Sequence, residues 1–202
     1  RGPDGNLYAI ARRNFTGKGT ALVRLVVSTR AVEVVGVWPY AVHGDLYLTG
    51  PLALGGDGRW YVPGLRTDLT SGAMIASIGF GGSDPRIDAM IGKGEGGYLA
   101  GGLTLGRDGW MYGSMTVGGP AGGGGLVRLR PRPTIRVRAQ AGDLFVDVRA
   151  FAGARVRMSS ATDPQGPWVE EPADVILDAQ GQGSQPVSRT DTVRFYRARI
   201  RD

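Results

Sequence analysis

The chain has no cysteine and a single histidine among its 202 residues. The missing cysteines exclude disulfide bonds, thiolate zinc sites and cysteine nucleophiles. With His43 as the one imidazole, two-histidine metal motifs are excluded, and a serine–histidine catalytic pair would depend on this residue alone. We expect His43 to lie in a loop, and we expect no metal ion, no cofactor and no catalytic residue.

Long apolar segments are missing as well. No run of about 18 or more apolar residues could cross a bilayer, and no segment has the charged, apolar and small-residue regions of a signal peptide. We therefore expect no membrane insertion. Arg1 stands just before a repeated motif with no methionine in front of it, so we expect a processed or partial chain whose earlier repeats are missing.

Lysine is scarce, and arginine supplies nearly all of the positive charge. The net charge is +6, and only Lys18 and Lys93 among the 24 basic residues are lysines. A surface rich in arginine attracts polyanions such as acidic glycans or nucleic acid. Arginines alternate in period two, which places each set on one face of a strand. The sets are Arg128, Arg130 and Arg132; Arg136 and Arg138; Arg155 and Arg157; and Arg197, Arg199 and Arg201.

These arginine sets have two interpretations. Phosphate or sulfate groups could bind to them, or they could be solvated strand faces neutralised in part by Asp143, Asp147, Glu170 and Glu171. We favour the solvated faces. Apart from Phe195 and Tyr196, no aromatic residues interleave with the arginines, which disfavours a nucleic-acid partner.

The main positive feature of the sequence is a threefold repeat. An Asp-Gly-x-x-Tyr motif occurs three times, and apolar residues follow 18 and 21 positions after each aspartate. A period near 50 residues is typical of repeat architectures, propeller blades first among them. The motif residues are Asp4, Gly5 and Tyr8; Asp57, Gly58 and Tyr61; and Asp108, Gly109 and Tyr112.

Each motif predicts a hairpin turn, because glycine tolerates positive φ and aspartate caps the turn with its own carboxylate. The tyrosines would hold equivalent packing positions between blades. A repeat of about 51 residues has room for four short strands, so the chain would hold about two and a half blades, too few to close a ring.

Composition changes near residue 131. Thirty of the 35 glycines precede this point, and Pro131 and Pro133 bracket it. Since proline cannot donate to a sheet ladder, we predict a stiff linker at 131–133. The fold class is all-β: a propeller-like repeat region at 1–130, then a small antiparallel β-sandwich at 134–202, where strands alternate apolar and polar residues.

Two parts of the sequence resemble known bacterial modules. The Asp-Gly-x-x-Tyr steps, with Gly123–Leu129 in the third copy, make residues 4–129 similar to GloVer-type tandem repeats. Residues 158–199, ending in Phe-Tyr-Arg-x-Arg, resemble a C-terminal β-sandwich of secreted bacterial proteins. The resemblance implies β-propeller-like repeats and an extracellular or cell-surface location, and it brings no catalytic residues with it.

Three functions follow as hypotheses. The first is a non-enzymatic extracellular or surface protein for adhesion, with a glycan or protein partner. The second is a subunit of an extracellular filament or surface layer, which self-associates through open blade edges. The third is a polysaccharide hydrolase or lyase with most of its site in missing blades. The polar cluster Asp84, Arg86 and Asp88 is the candidate ligand site, and its two aspartates are the candidate carboxylate pair.

Overall fold

The structure is a computed structural model that describes residues 1–11, 19–44, 46–48, 50–66, 73–91, 99, 101–116, 122–141, 143–187 and 194–201. Over these ranges it consists of strands and one helical turn, so the predicted all-β class is confirmed. The strands are β1 (Leu7–Ala11), β2 (Gly19–Val26), β3 (Ala31–Pro39), β4 (Leu46–Leu48), β5 (Ala53–Leu54), β6 (Arg59–Arg66), β7 (Ala73–Gly79), β8 (Arg86–Met90), β9 (Thr104–Leu105), β10 (Met111–Met115), β11 (Gly125–Leu129), β12 (Thr134–Gln140), β13 (Asp143–Arg149), β14 (Arg155–Ala161), β15 (Val169–Ile176), β16 (Gln182–Val187) and β17 (Phe195–Ile200).

The helical turn, α1, covers Tyr40–His43. His43 therefore ends a short helix and does not lie in the loop that we expected, because Gly44 stops the turn with φ 73° and its N–H bonds to the carbonyl of Tyr40. Among the described residues, no helix has the length and apolar character needed to cross a membrane.

The described chain groups into two compact units. The repeat unit contains residues 1–54, 59–106 and 110–129, and the C-terminal unit contains residues 130–202 together with 55–58 and 107–109. The two short segments are the Asp-Gly turns of the second and third repeats. Residues 130–133 lie outside any strand.

The repeat unit contains three antiparallel sheets with one shared register. Sheet 1 has the order β1-β2-β3, sheet 2 the order β4-β6-β7-β8 with β5 on β6, and sheet 3 the order β11-β10-β9. In each sheet the residue three after the motif aspartate pairs with the residue 21 after it: Leu7 with Leu25, Trp60 with Ile78, and Met111 with Leu129. The sequence repeat is thus a structural repeat. The four strands predicted for each copy appear as three, five and three strands in the part of the chain that the structure describes.

The motif turns have the predicted conformation. Gly5, Gly58 and Gly109 have φ of 78°, 76° and 79°, the left-handed region that glycine enters without strain. The second and third turns join paired strands, β5 to β6 and β9 to β10, which confirms both hairpins. In the first turn Asp4 Oδ1 accepts a hydrogen bond from the Asn6 N–H at 3.2 Å, so the carboxylate caps the turn as expected.

Two apolar cores lie between the repeat sheets, one between sheets 1 and 2 and one between sheets 2 and 3. We call the sheet face that carries the motif tyrosine the front face, and the opposite one the back face. Core A joins the front face of sheet 1, including Tyr8 and Leu22, to the back face of sheet 2, including Trp60 and Ile78. Core B joins the front face of sheet 2, including Tyr61 and Ile75, to the back face of sheet 3, including Met111 and Leu129. β7 is buried throughout because its alternate side chains enter the two cores.

The C-terminal unit contains two three-stranded antiparallel sheets. Sheet 4 has the order β12-β13-β16, and sheet 5 the order β15-β14-β17. Alternate residues of both sheets form one core, among them Val146 and Val148 of β13, Val156 and Met158 of β14, and Ile200 of β17. The opposite face of sheet 5 carries the arginines that the sequence alternates with these apolar residues.

Candidate functional site

Strands β14 and β17 place arginines side by side on the outer face of sheet 5. Arg157 pairs with Arg199, and Ser159 pairs with Arg197. Since Val156, Met158 and Ile200 point into the core, period-two geometry sends the intervening side chains to the other face. The predicted placement of each arginine set on one strand face is confirmed for these two strands.

A groove of about 560 Å³ lies on this outer face, and we call it the arginine groove. Four of its lining side chains are guanidinium groups, contributed by one residue of β14 and by three residues at the end of the chain. The lining residues are Arg157, Ser159, Glu170, Arg197, Ala198, Arg199, Ile200 and Arg201.

One arginine of the groove is bound within the sheet. Arg157 Nε lies 2.6 Å from Asp174 Oδ1, and its Nη1 lies 3.4 Å from Glu170 Oε2. Nη1 also donates to the carbonyl oxygen of Glu171 at 3.2 Å. The hydrogen bond from Arg157 lowers the pKa of Asp174 below its ordinary value of 3.8, and the same bond raises the pKa of Arg157. Arg157 is therefore a fixed part of the groove wall.

The other arginines of the groove are less neutralised. The Arg197 guanidinium stacks on the ring of Trp168 at 4.5 Å, a contact that holds the group flat while leaving its edge for hydrogen bonding. Arg201 Nη1 lies 3.8 Å from Asp174 Oδ2. Among the described residues, neither Arg197 nor Arg199 forms an ion pair. Over the residues that the structure describes, the ion pairs of these four guanidinium groups involve two carboxylates, Glu170 and Asp174, so this part of the groove carries an excess of positive charge.

The ion pair of Asp174 makes stability depend on pH in the acid range. Its pKa is lowered in the folded state, so its contribution is present above about 3.8 and is lost as the pH falls through the folded-state value. We expect Asp174→Asn to lower the urea midpoint at pH 7, and we expect this difference from the parent to shrink below about pH 3.8. Urea unfolding at both pH values checks this. The control Asp143→Asn removes an exposed carboxylate of the same unit and should change the urea midpoint at pH 7 little.

The structure also brings together the predicted ligand cluster of β8. Arg86 Nη1 lies 3.6 Å from Asp84 Oδ2, and Arg86 Nε lies 3.2 Å from Asp88 Oδ1 without the alignment of a hydrogen bond. Arg59, a buried residue of β6, donates to Asp84 Oδ2 at 2.9 Å, to the Asp84 carbonyl, and to Ser77 Oγ at 2.9 Å. Both aspartates therefore contact guanidinium groups of sheet 2.

This cluster has polar atoms without partners. Asp88 Oδ2 and Arg86 Nη2 are buried and form no hydrogen bond within the described ranges. Because solvent does not reach these atoms, a ligand would reach them only after a rearrangement. A role of Asp84, Arg86 and Asp88 in ligand binding stays a prediction, and the ion pairs give them a structural role in sheet 2.

Two partners of the groove were not identified from the sequence. Asp174 is opposite Arg157 in register, but a β-bulge between Arg157 and Ser159 shifts the strands, so residue spacing alone could not pair them. Trp168 follows a turn at Asp163–Gly166 and stands 29 positions before Arg197, so no local sequence signal marked it as the partner of that arginine. Within the described ranges, no three histidine, aspartate or glutamate side chains gather as a metal site.

Comparisons with known proteins give limited similarity. A scan against family models found no match, and neither did a comparison with curated protein sequences. Among solved structures, the chain is similar to an exo-β-1,3-galactanase from Phanerochaete chrysosporium with galactose, at 12% identity and a TM-score of 0.33, over 99% of this chain and 69% of that one. A variant of that galactanase with β-1,3-galactotriose is similar at 12% identity and a TM-score of 0.31, over 98% and 66% of the two chains.

Proposed function

We propose that the chain is a non-enzymatic binding protein of the cell surface or extracellular space, and that it holds an acidic polysaccharide in the arginine groove. The observation that carries this proposal is the groove itself, in which Arg197 and Arg199 form no ion pair among the described residues while four guanidinium groups line one cavity. The likeness of residues 4–129 to GloVer-type repeats supports the location, which cell fractionation would test.

The chemistry of the groove fits anionic groups on a polymer. A guanidinium group binds sulfate or carboxylate through two parallel hydrogen bonds and keeps its charge at any physiological pH. Arg197 and Arg199 stand two residues apart on β17, and this spacing separates their Cα atoms by about 6.6 Å. Such a row suits successive charges along a chain better than a single small anion. Ser159 adds a hydroxyl to the lining of the groove.

The same groove does not favour hydrolysis. A glycosidase of the common kind needs two carboxyl groups on either side of the scissile bond. Glu170 is the one carboxylate that lines the described groove, and it contacts Arg157, as does the neighbouring Asp174. These contacts support binding without turnover.

A binding experiment with defined polymers tests the proposal. We expect the protein to bind dextran sulfate and polygalacturonate, to ignore neutral dextran, and to bind more weakly as salt rises. The double variant Arg197→Ala/Arg199→Ala should lose about 10²- to 10⁴-fold in affinity, because it removes at least two charge-assisted hydrogen bonds that contribute roughly 1.5–3 kcal/mol each. Isothermal titration calorimetry at fixed salt measures this loss.

The matched control separates the groove from the overall charge. Arg132→Ala/Arg136→Ala removes two exposed arginines outside the groove and should change the affinity for either polymer little. Equal losses in the two double variants would show attraction by net charge alone and would overturn the site. Release of reducing ends from either polymer, abolished by Asp84→Asn/Asp88→Asn, would instead make the chain an enzyme.

A further inference from the structure

The repeat unit has two outer sheet faces. Residues on these two faces are exposed, whereas the residues at the equivalent repeat positions of the other sheets are buried. The shared register makes these positions comparable, since each sheet has a front face and a back face built from the same places in the repeat. Two of the three front faces and two of the three back faces are covered by a neighbouring sheet, in cores A and B. The front face of sheet 3 and the back face of sheet 1 are left.

The front face of sheet 3 shows the largest contrast. Leu126 stands 18 residues after its motif aspartate, as do Leu22 and Ile75 in the other two copies. Leu22 and Ile75 are 0% exposed, and Leu126 is 83% exposed. A leucine that is largely exposed, at a position that is completely buried in the other two copies, marks a face without a covering sheet.

The back face of sheet 1 also exposes apolar residues at positions that are buried in the other two copies. Leu7 is 46% exposed, and its equivalents Trp60 and Met111 are 3% and 0% exposed. Val32 and Val34 on β3 of the same sheet are 59% and 46% exposed. The strand pairs that line this face, Leu7 with Leu25, Leu25 with Val32, and Val23 with Val34, are all aliphatic.

The covered faces show how front and back fit together. In core A the ring of Tyr8, on a front face, lies 5.0 Å from the ring of Trp60, on the next back face, and 5.3 Å from Phe80. In core B, Tyr61 and Met111 occupy the same two repeat positions and share one core. The motif tyrosine of one sheet thus packs near the residue three after the aspartate of the next sheet. Tyr112 and Leu7 hold these positions on the two exposed faces.

We propose that a second copy of the chain covers these faces head to tail, with the back face of its sheet 1 on the front face of sheet 3. The contact would repeat the arrangement that cores A and B already show twice, with Tyr112 against Leu7 of the partner subunit. Arg128 stands opposite Tyr112 on this front face, and its guanidinium stacks on Trp110 at 4.7 Å.

A back-to-back dimer fits less well. It would bury Leu7 and Val32 but leave Leu126 exposed, and it would join two back faces, which meet in neither described core. A head-to-tail contact is heterologous, so assembly continues beyond the dimer until it closes as a ring or extends as a filament. This association uses sheet faces, unlike the edge-to-edge association predicted from the sequence.

Sedimentation velocity from about 1 µM to about 1 mM tests the association. We expect the weight-average mass to rise with concentration. Leu126→Asp and Val32→Asp should each raise the apparent Kd about 10-fold or more, because each places a charge on a face that becomes buried. The control Val137→Asp changes a half-exposed valine of sheet 4 (52% exposed) and should leave the Kd unchanged.

Engineered cysteines determine which faces meet, since the chain has none of its own. A mixture of the single variants Leu7→Cys and Tyr112→Cys should form a disulfide-linked heterodimer under mild oxidation. Crosslinking of Leu7→Cys alone, without the heterodimer, would show a back-to-back dimer and overturn the proposal. A parent chain that remains monomeric up to about 1 mM, or an unchanged Kd in both aspartate variants, would also overturn it. Circular dichroism of each variant confirms that loss of assembly is not loss of folding.

Discussion

Trp60→Ala will lower the free energy of unfolding by about 3–5 kcal/mol, as expected for removal of a large buried aromatic side chain. Trp60 is 3% exposed on the back face of sheet 2. Its ring lies 5.0 Å from Tyr8 and 5.9 Å from Phe80. The cavity would therefore open in core A, between sheets 1 and 2. A local shift of one strand in either sheet cannot fill it. Urea unfolding followed by far-ultraviolet circular dichroism measures the loss.

Trp60→Phe is the matched control for this cavity. The indole Nε1 is buried and has no hydrogen-bond partner in the described part of the chain, so phenylalanine removes an unsatisfied donor along with part of the ring. We expect the phenylalanine variant to lose less than half of what alanine loses. Equal losses in the two variants would mean that the indole has a polar role, and they would contradict the packing explanation.

The repeat unit was largely predictable because its sequence repeats at fixed spacing. The apolar residues at 18 and 21 positions after each aspartate proved to be strand partners of the residues that follow the turn, in one register in all three sheets. A turn that requires positive φ favours glycine, so the turns at Gly5, Gly58 and Gly109 could be predicted from the sequence. Local patterns of this kind depend on neighbours that are near in the chain.

The arginine groove was less predictable because its partners come from distant segments. Period two placed Arg157 and Arg197 on strand faces, and Asp147 and Glu170 do contact arginines, as expected. Asp174 and Trp168 became visible as partners only once β14, β15 and β17 were aligned. A groove depends on which strands are neighbours, and the sequence of a single chain does not state the order of strands in a sheet.

The Asp84 cluster was predicted from the sequence, but one of its main contacts was not. The sequence marked Asp84, Arg86 and Asp88 by their density of charge, and the structure does bring them together. The residue that changes their interpretation is Arg59, which comes from β6, lies 25 positions away from Asp84 and is buried. Its contacts with Asp84 add an ion-pair network within sheet 2 to the cluster, while the role in ligand binding stays a prediction.

Polymer binding in the arginine groove and head-to-tail assembly together predict that binding depends on the length of the polymer. A head-to-tail assembly would repeat the arginine groove once per chain along one particle. Linked sites can bind a long polymer 10²- to 10⁴-fold more tightly than a single site does. We therefore expect Leu126→Asp, which leaves the groove intact, to weaken binding of high-molecular-mass dextran sulfate but not of a short sulfated oligosaccharide. Titration calorimetry with both ligands separates assembly from the groove.

Gly109→Ala will destabilise the protein by about 2–5 kcal/mol, the sum of left-handed backbone strain and a steric clash. Gly109 has φ 79° in the third motif turn. A Cβ built there would overlap the ring of Phe151 and lie 2.7 Å from its Cβ. Both residues belong to the C-terminal unit, whose core Phe151 contacts. Urea unfolding of the full chain measures the effect.

The equivalent glycines provide the comparison that makes this prediction specific. Gly5→Ala has the same strain at φ 78°, and the new Cβ would lie 3.7 Å from the Arg1 guanidinium, an ordinary van der Waals contact, so it should cost about 1–2 kcal/mol. Gly58→Ala would meet only the flexible end of Arg149 at 2.9 Å and should fall between the two. Adding Phe151→Ala should remove the overlap with the ring but keep the 2.7 Å contact between the two Cβ atoms. A double-mutant cycle should therefore show a smaller cost of Gly109→Ala in this background. Equal costs at all three glycines would show that the turn conformation, and not packing on Phe151, sets the requirement for glycine.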